Sequence, residues 1–93
     1  MPEGRGLHAE YMIIEGTVLT KEIGLSAIFE GVEQPYVRCT IARLDQPEVH
    51  AEARIVGLED LSIPIGGAIK LEVVRAITDR RAGVVRFDCK LLS

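Results

Sequence analysis

The sequence predicts an all-β domain in which five strands close into a small barrel. The 93-residue chain is 47% hydrophobic but only 4% aromatic, so its core must be built from the aliphatic residues that suit strands. Apolar and polar residues alternate with a period of two along most of the chain, which is typical of half-buried strands. Clusters of glycine and proline separate these stretches. A chain of this length is expected to form one domain.

The first ten residues differ in composition from the rest of the chain. Residues 1–10 contain two glycines, a proline and mixed charges, and they are predicted to be a flexible lead-in to one domain of residues 11–93. The opening residues have no apolar run long enough for a signal peptide or a membrane span. The expected location is therefore the cytoplasm.

The first strand is predicted to begin near Met12. Met12, Ile14 and Val18 share one parity, and Gly16 lies between them. A glycine inside a strand often marks a bulge or a sharp bend, which a small barrel needs where it turns a corner. The residues that follow, up to Gly31, allow two interpretations: a short helical turn or a continuation of the strand.

Residues 35–57 predict an antiparallel hairpin that supplies the second and third strands. Two alternating stretches flank a short break at residues 45–47, which contains a proline. The residues predicted to face the core are Val37, Cys39, Ile41, Val49, Ala51, Ala53 and Ile55. The opposite face carries Arg38, Thr40, His50, Glu52 and Arg54. This polar face is expected to meet mostly solvent, with one end in contact with a protein partner.

Two further strands follow a loop. The loop, residues 57–67, contains a proline and a pair of glycines, and residues 58–61 can form a helical turn that caps the barrel. Residues 68–78 predict the fourth strand, residues 79–83 a turn, and residues 83–92 the fifth strand. The residues expected to face inward are Ile69, Leu71, Val73, Val85, Phe87, Cys89 and Leu91.

This order of elements is that of an OB-fold, a five-stranded Greek-key barrel. The first strand is bent, and an irregular segment separates the third strand from the fourth. A small open sandwich is the alternative, but the barrel is favoured because every strand has one apolar and one polar face. Closure also removes the strand edges that invite aggregation. The core is expected to include Val37, Ile41, Ala51, Ile55, Leu71, Val73 and Phe87.

The sequence carries none of the common catalytic or metal-binding patterns. It has no Gly-rich phosphate loop and no GxSxG elbow. A zinc site from Cys39, Cys89 and a histidine would require inward and outward residues to converge, which is poor tetrahedral geometry. We therefore expect no catalytic residue, no metal and no cofactor bound by this chain. The two cysteines are interpreted as small buried apolar residues in a reducing cytosol, and a disulfide between them stays open.

The charges argue against a nucleic-acid surface. The net charge is −3 and the sequence pI is near 5.3, whereas nucleic-acid binders usually carry a basic surface. A face for single strands should offer stacking aromatics in a basic groove. The aromatic residues are Tyr11, Phe29, Tyr36 and Phe87. A small-ligand or single-stranded nucleic-acid-binding module is accordingly the second hypothesis on function.

One loop suggests a third hypothesis. Asp60, Ser62 and Gly66 resemble the Asp-x-Ser-x-x-Gly motif of PilZ domains, which are small β-barrels that bind cyclic dinucleotides. The loop has one residue too many before the glycine. The arginine pair that precedes the motif is missing, since Arg38 and Arg43 have a different spacing.

A stronger resemblance runs from Glu15 to Leu91. The segments that carry it are EGTVLTKEI, PYVRCTIARLD, ARIVGLEDLSIPIGGAIKLEVV and VVRFDCKLL. In this order they resemble the OB domain of an acyl-CoA-associated OB-fold family, the domain-of-unknown-function family thirty-five. The matching positions are Gly16, Thr17, Val18, Pro35, Tyr36, Leu44, Asp45, Val56, Gly57, Ile65 and Gly66.

The resemblance implies a non-catalytic accessory subunit. Such proteins act beside thiolase-like acyl-CoA enzymes, so this chain is expected to dock onto one, stabilise it and shape its substrate entrance. The complex is expected to be a hetero-oligomer that does not contact a membrane. Any acyl-CoA would bind to this complex and not to the chain alone. The family usually adds an N-terminal zinc ribbon with four cysteines, which this sequence lacks. A role based on that ribbon is therefore not expected.

Five residues are predicted to contact the partner. Tyr36 offers an apolar ring with a polar tip, and Arg38 can pair with an acid or a CoA phosphate. Val74, Val84 and Leu92 are aliphatic residues of outward parity that could form an exposed patch. The alternatives are that Tyr36 covers the barrel end while Arg38 pairs with a cross-strand acid, and that the aliphatic residues pack under the lead-in.

Overall fold

A computed structural model describes residues 12–79 and 84–92. It contains five strands and, within these residues, no helix. The strands are β1 (Ile13–Phe29), β2 (Val32–Arg43), β3 (His50–Val56), β4 (Ala68–Asp79) and β5 (Val84–Leu91). The predicted all-β class with five strands is confirmed. The predicted lead-in, and most of the turn expected at residues 79–83, lie outside the described residues.

The strands form one mixed sheet in the order β1-β2-β3-β5-β4, which closes into a barrel. Closure depends on β1, because its first residues pair with β4 and the rest pair with β2. Four of the five strand pairs are antiparallel, and β3 and β5 run parallel. Each strand therefore has a neighbour on both sides.

Gly16 lies where β1 has a neighbouring strand on each side. Gly16 pairs with Arg43 of β2 and with Ile69 of β4, so two strands approach its backbone. A Cβ at this position would overlap the carbonyl oxygen of Ala42 and press on Ile41. The bulges of β1 lie further along, and the strand continues to Phe29 without a helical turn. The glycine thus serves a close approach of strands rather than a bulge.

The core lies inside the barrel and is aliphatic. Its buried residues include Ile14, Val18, Val37, Cys39, Ile41, Ala53, Ile55, Leu61, Ile69, Leu71, Val73 and Cys89. Six of the seven predicted core residues are buried, and Ala51 is among them. Phe87 is only partly buried. Its partner Ala53 on β3 is fully buried, but its partner on the other side, Ala76 of β4, is exposed.

The loop between β3 and β4 closes one end of the barrel without a helix. Leu61 is buried at this end, and the ammonium of Lys21 donates hydrogen bonds to the carbonyl oxygens of Leu61 (2.8 Å) and Ile63 (3.2 Å). The helical turn predicted for residues 58–61 is therefore wrong, because a side-chain donor from β1 fixes these carbonyls instead. Val49 was predicted to face inward but is exposed, since it precedes β3.

The two cysteines are buried and free. Cys39 lies on β2 and Cys89 on β5, and β3 separates these strands. Two inter-strand spacings amount to about 9–10 Å, which exceeds the reach of a disulfide at about 7 Å between Cα atoms. Burial raises the pKa of Cys89 to about 12, with further contributions from Asp88 and Cys39. Burial also raises the pKa of Cys39.

Candidate interaction surface

The second half of β1 and the first residues of β2 form a two-stranded arm. After a bulge between Glu22 and Leu25, the residues of β1 up to Phe29 pair only with β2. Their partners are the first residues of β2, up to Tyr36. The turn at the tip places Glu30 and Gly31 at positive φ, 52° and 82°. One face of the arm is buried at Phe29 and Tyr36, so the arm lies over the outer surface of the barrel rather than projecting into solvent.

Arg54 of β3 joins the arm to the barrel. Its guanidinium carbon lies 4.8 Å from the ring centroid of Phe29 and 5.5 Å from that of Tyr36. The two rings contact each other edge to face, with centroids 5.6 Å apart. The same guanidinium donates two hydrogen bonds to the carboxylate of Asp88 on β5, at 2.8 and 3.2 Å. One cation is therefore stacked on two aromatic rings and held by a bidentate ion pair.

Asp88 is a buried acid on the outer side of the barrel. It is only 4% exposed, although its neighbours along β5 show that it has outward parity. Besides Arg54, Arg75 of β4 approaches its carboxylate at 3.5 Å. The outer side of the sheet is therefore not solvated at this position, because the arm and two arginines cover it.

A groove of about 280 Å³ runs between the arm and the outer face of β3, β5 and β4. The residues that line it are Phe29, Glu30, Gln34, Val56, Val74, Arg75, Asp88 and Lys90. Three of these residues are apolar, and four carry charges, of both signs. Val74 reaches it because a bulge in β4, between Val73 and Arg75, displaces this residue from the regular ladder. The groove is thus a place where a side chain from another molecule can bind.

The structure gives the predicted pair Tyr36 and Arg38 different surroundings. Tyr36 has the expected outward parity, but it is only 7% exposed because Phe29 and Arg54 pack against it. Arg38 forms cross-strand ion pairs with Glu22 (3.4 Å) and Glu52 (4.0 Å). The pKa of Arg38 is raised, first by a hydrogen bond with the Tyr36 side chain. These contacts agree with the alternatives, in which Tyr36 is a covering residue and Arg38 pairs with a cross-strand acid. Contact of either residue with a partner stays a prediction.

The predicted aliphatic residues lie at several points along β4. Val74 and Leu92 are 45% and 46% exposed. Val84 begins β5, but its side chain lies outside the described residues. Ile13, which is not among the predicted contact residues, is 45% exposed and pairs with Glu72 of β4. Its outward parity, opposite to that of the buried Ile14, was the signal that could have identified it.

Chemistry that needs a ligand cluster is not visible in the described part of the chain. Among residues 12–79 and 84–92 no three His, Cys, Asp or Glu side chains are grouped so that they could hold a metal ion. His50 is exposed on β3. In the PilZ-like loop, Asp60 accepts a hydrogen bond from the backbone N–H of Leu61 (2.6 Å), and Ser62 is exposed. No helix in these same ranges has the length and apolar composition needed to cross a membrane.

Comparisons with known proteins return no similar one. No protein-family model, no curated protein and no solved structure matches the chain. The resemblance to the acyl-CoA-associated OB-fold family therefore stays a prediction from the sequence.

Proposed function

We propose that the chain is an OB-fold. The strand order β1-β2-β3-β5-β4, the parallel pairing of β3 with β5, and the sharing of β1 between β2 and β4 support this assignment. The described loop between β3 and β4 caps the barrel in place of the helix that many such folds insert there. An OB-fold is a scaffold for binding, and its function depends on the surface that it presents.

On this scaffold we propose a non-catalytic accessory subunit that docks onto a thiolase-like acyl-CoA enzyme in the cytoplasm. The observation that carries the docking role is a set of half-exposed aliphatic side chains around β4. Ile13 pairs across from Glu72, Leu92 bonds through its N–H to the carbonyl oxygen of Lys70, and Val74 lies in the bulge. A contiguous patch of exposed aliphatic residues is typical of a protein interface, and these three residues lie beside the same strand. The identity of the enzyme partner comes from the sequence resemblance.

The nucleic-acid alternative receives less support from the arrangement of cations and rings. Phe29 and Tyr36 are buried and Phe87 is partly buried, so none of the three offers an open stacking face. Arg38 and Arg54 are paired with carboxylates. A strand of nucleic acid would have to break these pairs before it could use the cations.

The experiment is purification of the tagged full-length chain from its native cells, followed by identification of bound proteins and nucleic acid. The test variant is Ile13→Glu combined with Leu92→Glu. The matched control is Ile65→Glu, an exposed aliphatic residue on the loop between β3 and β4. We expect an acyl-CoA-converting enzyme to accompany the parent and the control but not the double variant. Bound nucleic acid without such an enzyme would contradict the proposal.

A further inference from the structure

The tip of the arm and the groove beside it carry opposite charges. Glu30 at the tip and Lys90 on β5 both line the groove. Neither has an ion pair or hydrogen bond with a described side chain, in contrast to the other charged groups of the groove. Asp88 is already bound by Arg54 and approached by Arg75. An incoming surface that offers one acid and one base would therefore satisfy both charges.

Apolar residues accompany these charges. At the tip, Ile28 and Val32 are 69% and 59% exposed. In the groove, Val56 and the half-exposed Val74 form apolar parts of the wall. The tip is thus acidic and aliphatic, and the groove offers a cation beside aliphatic side chains.

At the tip, Glu30 occupies a backbone conformation that favours glycine. Glu30 has φ of 52°, and within the described residues it is the non-glycine residue with positive φ. Left-handed backbone is uncommon for a side chain such as glutamate and costs conformational energy. The next residue, Gly31, meets the same demand without that cost. A carboxylate held here is consistent with a contact that uses it.

We propose that two copies of the chain form a two-fold dimer in which the face that carries the tip and the groove of one copy packs against the same face of the other. Glu30 of one copy pairs with Lys90 of the second copy, and Ile28 and Val32 pack against Val74. An isologous contact requires one patch that carries both complementary features. Here the tip is itself a wall of the groove, so both features lie on one surface. A small domain also gains from the additional burial that a dimer provides.

The charge pair makes the proposal testable by reversal and rescue. Lys90→Glu places two acids at each contact, and Glu30→Lys places two bases there. Each single variant is expected to raise the dimer dissociation constant by about tenfold or more. The double variant, Glu30→Lys with Lys90→Glu, exchanges the charges and is expected to restore the dimer. Lys70→Glu, on β4 and outside the groove, is the matched control and should leave the dimer unchanged.

The measurement is sedimentation equilibrium of the full chain over a wide concentration range. Circular dichroism of each variant shows that any monomer is folded. A parent that stays monomeric at every concentration overturns the proposal and leaves the groove to a different protein. A dimer that the single variants do not weaken, or that the double variant fails to restore, overturns it as well. Val74 belongs to both proposed surfaces, but Ile13 and Leu92 lie outside the groove lining, so docking through these two residues is tested separately by their own variants.

Discussion

At the residue scale, Arg54 of β3 connects the arm with β5, which the sequence around it does not indicate. It binds a buried carboxylate and stacks on two aromatic rings. Arg54→Ala should lower the free energy of unfolding by about 3 kcal/mol, because it leaves Asp88 buried with only the longer contact to Arg75. Arg38→Ala is the control and should cost less than about 1 kcal/mol, since its ion pairs are exposed. Urea denaturation measures both, and equal losses would contradict this role of Arg54.

The buried thiols give the protein a pH dependence at the alkaline end. The pKa of Cys89 is about 12 in the folded chain against an ordinary value of 9.0. Above pH 9 the unfolded chain loses this proton while the folded chain keeps it, so stability falls as pH rises towards 12. The slope from one such thiol is about 1.4 kcal/mol per pH unit. Melting temperatures should therefore fall less steeply for Cys89→Ala than for the parent, and parallel curves would be evidence against a buried neutral thiol.

At the scale of elements, β1 is the strand that the barrel most depends on. Gly16 is the point where it faces β2 and β4 together. Gly16→Ala should destabilise the protein by about 1–3 kcal/mol, because the added methyl group meets the backbone at Ala42. Ser26→Ala, on an exposed position of the same strand, is the control. Equal melting temperatures for the two variants would show that the strands can separate at Gly16 without a loss of stability.

The arm is held by one buried ring. Phe29 is buried under the arm and contacts Tyr36 and Arg54, whereas Val32, its partner across the hairpin, is exposed. Phe29→Ala should cost about 3 kcal/mol and increase amide hydrogen exchange along the arm. Val32→Ala should change neither quantity appreciably in the monomer. Unaltered exchange in Phe29→Ala would mean that the arm is fixed by its backbone pairing alone.

At the scale of the whole molecule, the barrel is expected to be stable without a metal ion. The aliphatic core and the closed ladder of strands supply the burial, and the described residues bring no ligand cluster together. A strong chelator should therefore leave the melting temperature of the full chain unchanged. A fall in that temperature would show that a metal contributes to folding.

The sequence by itself determined the local structure of this protein. Period-two alternation correctly predicted four of the strands over most of their length and six of the seven core residues, because the parity of a side chain in a strand decides which face it occupies. It also identified the outward parity of Val74 and Leu92. It left the second half of β1 open between a turn and a strand, since the spacing of its apolar residues fits both.

Only the tertiary structure decided which outward residues are covered. Arg54 and Asp88 are 34 positions apart, and they meet because β3 pairs in parallel with β5. Tyr36 is buried because the arm lies over that pair. Phe87 is only partly buried because its partner Ala76, which follows the bulge of β4, is exposed. Alternation fixes the face of each residue but carries no information on which strands become neighbours. Pairing between distant strands depends on closure of the whole barrel, so the groove could not be predicted from the sequence.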